Sequence, residues 1–178
     1  MRWHTLIADV GIGLIASYAG TKVMEPVSVK LYEWESEADR QQEDAVRPGS
    51  PYEIAARKTT HLLGLQLSDE HIQKLGTTLF HNGLGMSWGV VYTLLRQRTA
   101  VHPVAGGVGT GMVMWLLVDE GLTPLLGFSA PNRAYPLATH VRGAVAHLAW
   151  GVGTAEAAEG LTWLGARRAA TIGRKENA

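Results

Sequence analysis

The chain contains no cysteine, which excludes a disulfide scaffold, a thiolate metal site, an iron–sulfur cluster and a cysteine nucleophile. It also lacks any excess of charge: 16 basic and 16 acidic side chains cancel, leaving no electrostatic drive toward nucleic acid. No HExxH is present either, and Gly85-Met86-Ser87-Trp88-Gly89, although it spells G-x-S-x-G, lies inside an uncharged helical run and not at a strand-to-helix turn, so Ser87 is not placed as a nucleophile. The 21 glycines follow no Gly-X-Y period and form no low-complexity tract. Charge is missing locally as well. Residues Leu75 to Leu95 and Thr99 to Val118 are uncharged runs of 21 and 20 residues. At about 1.5 Å per helical residue each matches the roughly 30 Å hydrocarbon core of a bilayer.

What is present then arranges itself around these runs. The sequence predicts an all-α, four-span transmembrane helix bundle, a single membrane domain over 1–178. Its spans fall at about 5–24, 77–95, 103–122 and 139–164, with an outer segment at 25–76 and a tail at 165–178. The first span carries Asp9 and Lys22 and reads as a retained helix, because Asp9 interrupts any signal-peptide core. The fourth carries Arg142, Glu156 and Glu159. Arg2, Arg96, Arg98, Arg167, Arg168, Arg174 and Lys175 gather on one side with Glu176, whereas 25–76 holds 10 acids against 6 bases. The excess of positive charge puts both termini in the cytoplasm.

The outer segment has its own helix signals. Ser50 with Glu53 makes a capping box, Pro51 suits the first helical position, and a helix is expected to about Leu65. Ser68 caps another start that runs into the second span. Tyr32 and Trp34 suit a membrane interface, and Glu33 to Asp44 reads as a solvated charged helix or linker. Gly85 with Gly89, Gly107 with Gly111, and the stripe Gly13, Ala16 and Gly20 allow close helix approach.

Ionisable groups inside spans are costly and raise a functional hypothesis. His81, Asn82, Asp119, Glu120, His140 and His147 share the outer level and form the candidate polar vestibule. Three readings apply to them: structural hydrogen bonding between helices, a proton- or ion-responsive site built from His81, His147 and Glu120, and bis-His haem ligation by His81 and His147. No cofactor or metal signature accompanies the histidines. On the fourth span, His140 and His147 lie about 20° apart around the helix, and Arg142 and Glu156 about 40° apart on another face. If the histidines turn inward, Arg142 and Glu156 face lipid or a partner, with Asp9 a candidate for Glu156.

Residues 77–160 resemble the YagU family of small bacterial inner-membrane proteins, a family with no assigned biochemical activity. The resemblance is carried by His81 with Gly85, Gly89 and Tyr92, by Gly121-Leu122-Thr123-Pro124, and by Ala146-His147-Leu148-Ala149-Trp150. It implies a multi-pass protein of the bacterial cytoplasmic membrane and supplies no reaction or ligand. The expectation is therefore a non-enzymatic membrane protein whose vestibule handles protons or a small ion. The alternatives are an accessory subunit of a membrane complex and a haem-b electron carrier. Membrane lipids and either a second copy or a complex partner are the expected contacts.

Overall fold

A computed structural model describes residues 3–176. Arg2 and the side chains of Arg174, Lys175 and Glu176, counted above for orientation, lie outside what it describes. The described residues form helices joined by short loops, with no strand. The long elements are α1 (Trp3–Trp34), α5 (Leu84–Arg96), α6 (Pro103–Met114) and α8 (Leu137–Glu176). The short ones are α2 (Glu37–Val46), α3 (Pro51–Leu62), α4 (Asp69–Leu75) and α7 (Thr123–Leu125). Two π-helical segments, Gly76–Gly83 and Trp115–Leu122, join α4 to α5 and α6 to α7 without a break. Among the described residues one helix, over Leu6–Trp34, is long and apolar enough to cross a membrane by length and composition; the other three expected spans do not meet that measure.

α1 and α8 form the central pair, with α5 packed on α1 and α6 packed on α8. Small residues make this close approach possible. A Cβ at Gly107 would overlap the Gly151 carbonyl, and one at Gly111 would overlap the His147 carbonyl. On the other side, Gly89 lies against Gly13 and Ser17, and the Ser17 hydroxyl donates to the Gly85 carbonyl at 2.6 Å. Gly20 lies against the Trp150 backbone and Thr154. The core between these helices is made mostly of alanine, with Ala16, Ala146, Ala155 and Ala158 buried beside Tyr92 and Trp150. Large apolar side chains sit on the outward faces instead, as at Ile15, Val91, Leu117 and Val152.

The outer segment is helical and covers one end of the bundle. α1 runs through Pro26 to Trp34, well past the expected end of the first span. Ser36 caps α2 by accepting from the Asp39 N–H at 3.1 Å. α2 is not solvated throughout: Glu43 is fully buried, and Glu35 just before it is nearly so. The Ser50–Glu53 capping box does not form, since no side-chain bond caps α3; Pro51 at the first helical position suffices. α3 ends at Leu62, short of Leu65. Gly64, at φ +71°, takes the left-handed turn that closes it, with Leu65 N–H on the Thr60 carbonyl and Gly64 N–H on the His61 carbonyl. Ser68 does cap α4, accepting from His71 N–H at 3.5 Å, with Asp69 and Glu70 in its first turn.

Candidate functional site

The chamber-lining polar residues lie at one end of the bundle, where antiparallel packing brings the end of one long helix beside the start of the next. The last third of α1, the first π segment, the second π segment and the start of α8 all meet there. α5 and α6 touch at their other end, where Tyr92 donates to the Pro103 carbonyl at 3.2 Å. Between them opens a chamber of about 860 Å³, with Met24, Leu84, Met114, Trp115 and Leu122 among its apolar walls. Trp150 also lines it, its indole N–H buried without a hydrogen-bond partner among the described residues. α3 and the 126–135 loop cover the opening, tied together by Lys58 Nζ donating to the Leu126 and Gly127 carbonyls, each at 2.9 Å.

His81, Asp119, Glu120, His140 and His147 all line this chamber; Asn82 does not. Three separate arrangements hold them. Glu120 Oε1 is 2.7 Å from His140 Nδ1, while Asn132 Nδ2 donates to Glu120 Oε2 at 2.9 Å and to its carbonyl at 2.8 Å. His140 Nε2 lies 3.1 Å from the Asn132 carbonyl, so the loop residue clasps the pair from both sides. His147 is buried, with Nδ1 2.9 Å from the Gly143 carbonyl and Nε2 3.7 Å from Asp119 Oδ2. The second distance exceeds a hydrogen bond, so the two groups face each other across a gap. His81 lies against Tyr52 of α3, with ring centroids 4.4 Å apart and the rings inclined at 43°. No hydrogen bond or ion pair joins His81, Glu120 and His147 to one another among the described residues. The described residues also hold no group of three or more His, Asp or Glu disposed to bind a metal ion.

Arg142 departs from its expected orientation. It is buried, donating to Glu35 at 2.6 Å and to both Glu43 carboxylate oxygens at 2.7 and 2.8 Å, with Tyr32 beneath the guanidinium at 5.0 Å. Thr139 donates to Glu43 at 2.7 Å, and Arg47 pairs with the same carboxylate. The face of α8 that carries Arg142 is covered at this end by α2 and the end of α1. Farther along, the same face is open: Glu156 is exposed. Arg142 therefore faces this chain and not a partner, whereas Glu156 points outward. Asp9 does not pair with Glu156; its backbone carbonyl accepts from Thr93 at 3.0 Å. Glu159, one turn on, pairs with Arg96 at 3.1 Å.

Burial acts on the groups that cover the chamber. It would push the Glu43 carboxyl up, but the hydrogen bonds from Arg142 and Thr139 outweigh it and hold that carboxyl below its ordinary value. The Tyr52 phenol goes up, first from burial and then from the negative charge of Asp119. The sequence reading missed Tyr52, Asn132, Glu35 and Glu43, which lie in loops and outer helices where no spacing pattern marks them. Both π segments escaped it too, although each carries chamber residues: His81 in one, Asp119 and Glu120 in the other. Such segments recur at functional sites because the wider turn re-aims side chains. No protein-family model, curated protein or solved structure matches this chain.

Proposed function

We propose that this chain is a four-span protein of the bacterial cytoplasmic membrane, with both termini inside and a proton-responsive outer vestibule. Membership of the YagU family is part of the same proposal. The carrying observation is the chamber with its two carboxylate–imidazole pairs, Asp119 with His147 and Glu120 with His140, on adjacent helices. Imidazole is the side chain that changes charge near neutral pH, and a facing carboxylate stabilises its charged form. Among the charged and titratable neighbours, Arg142 and Arg47 reach the chamber paired with Glu35 and Glu43. Tyr52 approaches Asp119 from α3, Tyr135 meets the edge of His140 at 6.5 Å, and Glu25 and Lys22 act on His81 from α1. The apolar residues on the outward faces of α1, α5, the second π segment and α8 support the membrane reading, since such exposure is costly in water.

The test is a pH titration of imidazole NMR signals in the purified, histidine-labelled protein between about pH 5 and 8. The chamber imidazole signals are expected to change with pH in this range, and Asp119→Asn should alter that change. Chamber signals that are indifferent to pH in this range, or indifferent to Asp119→Asn, would contradict the proposal. A second reading, an accessory subunit of a larger membrane complex, is supported by Glu156, an exposed carboxylate midway along α8 with no ion pair among the described residues.

A further inference from the structure

The chamber is far larger than a proton or a bare metal ion requires. At about 860 Å³ it falls in the range of roughly 300–1,000 Å³ that holds drug-sized organic molecules. Its walls suit such a molecule, with Met24, Leu84, Met114 and Leu122 on the helices and the aromatic rings of Phe80, Tyr52 and Trp115 among them. Its charge is equally informative. Arg142 and Arg47 reach the chamber but are neutralised by Glu35 and Glu43 behind them. Glu120 is engaged by His140 and Asn132. Asp119 remains: it lines the chamber, 43% of its side chain is accessible, and no hydrogen bond satisfies it among the described residues. A carboxylate free of hydrogen bonds, set within aromatic and apolar walls, is the arrangement that holds an organic cation, by charge and by attraction to ring faces.

We infer that the chamber binds an amphipathic organic cation, with its charge on Asp119 and its apolar body along Trp115, Met114 and Leu122. This deepens the proposed vestibule and rests on the chamber being the functional site. Because Asp119 also faces His147 across 3.7 Å, a cation seated on Asp119 and a protonated His147 would repel each other, so loading and protonation compete.

Tetraphenylphosphonium is a suitable probe, measured with a phosphonium-selective electrode on the full-length protein in uncharged maltoside detergent. Wild-type protein should bind it saturably at one site. Asp119→Asn should weaken binding at least tenfold, whereas Glu156→Gln should leave it unchanged. Tetraphenylborate, of the same shape and opposite charge, should bind wild type at least tenfold more weakly, a comparison that needs no variant to fold. Absence of saturable phosphonium binding, equal affinity for the two ions, or an Asp119→Asn variant with wild-type affinity would overturn the inference. The imidazole titration is recorded without any cation, so the two readings fail separately. An intact titration without phosphonium binding removes the cation alone; Asp119-dependent binding without a titration removes the proton reading alone.

Discussion

At the scale of single residues, the most consequential contact is the one between Arg142 and Glu43. Glu43 has no solvent exposure and receives hydrogen bonds from Arg142 and Thr139. Removing one partner of a buried ion pair leaves the other uncompensated, at a cost of about 3–5 kcal/mol. Glu43→Ala is expected near the lower end of that range, because Glu35 still engages Arg142, and thermal unfolding in detergent measures it. The pH dependence follows from the direction of the shift. Glu43 is held below its ordinary 4.5 in the folded protein, so its contribution is complete above that value and is lost as pH falls below it. Wild type should therefore lose melting temperature on acidification below about pH 4.5 more steeply than Glu43→Gln; parallel slopes would contradict this. None of it was legible in the sequence. Helical phase correctly separates Arg142 from His147, but phase alone does not say what covers each face. Glu35 and Glu43 read as solvated acids in a charged stretch. Their burial depends on α2 folding back over α8, a long-range contact without a local signal.

At the scale of elements, the glycines were the legible part. Gly107 and Gly111 stood out as a close-packing pair, and both lie where α6 meets α8. Gly109, between them, faces open space. Gly107→Val should therefore destabilise the bundle by about 1–3 kcal/mol or more, since the new side chain meets the Gly151 backbone and not a movable group. Gly109→Ala should be neutral or stabilising by about 0.5–1 kcal/mol, because alanine fits a helix better than glycine. Equal effects of the two substitutions on the unfolding midpoint would mean that α6 does not pack as described. The π segments were the illegible part. A reading at 3.6 residues per turn carries one phase from His81 through Gly85 to Tyr92, and from Met114 to Leu122. Each π segment breaks that phase, which is how His81 reaches Tyr52 and Asp119 reaches His147 across the chamber.

At the scale of the whole molecule, the sequence and the fold agree on helices and on which polar residues lie at one end. The positions of the cover and the size of the chamber were beyond the sequence, because α2, α3 and the 126–135 loop meet through tertiary contacts such as Gln42 on the Ala134 carbonyl at 3.0 Å. Assembly is a prediction at this scale. Glu159 is engaged by Arg96 whereas Glu156 is exposed, so Glu156→Ala should shift the oligomer distribution in native mass spectrometry more than Glu159→Ala does. Identical distributions would count against a partner at that face. The central claim is the orientation of four spans, from which the outward vestibule follows. The chain has no cysteine, so single cysteines report without background. Ala45→Cys, exposed on α2, and Ala170→Cys, exposed near the end of α8, are placed to read the two sides. In intact cells an impermeant thiol reagent should label position 45 and reach position 170 only after the membrane is opened. Labelling of position 170 with none at 45, or of both before opening, would contradict the proposed topology.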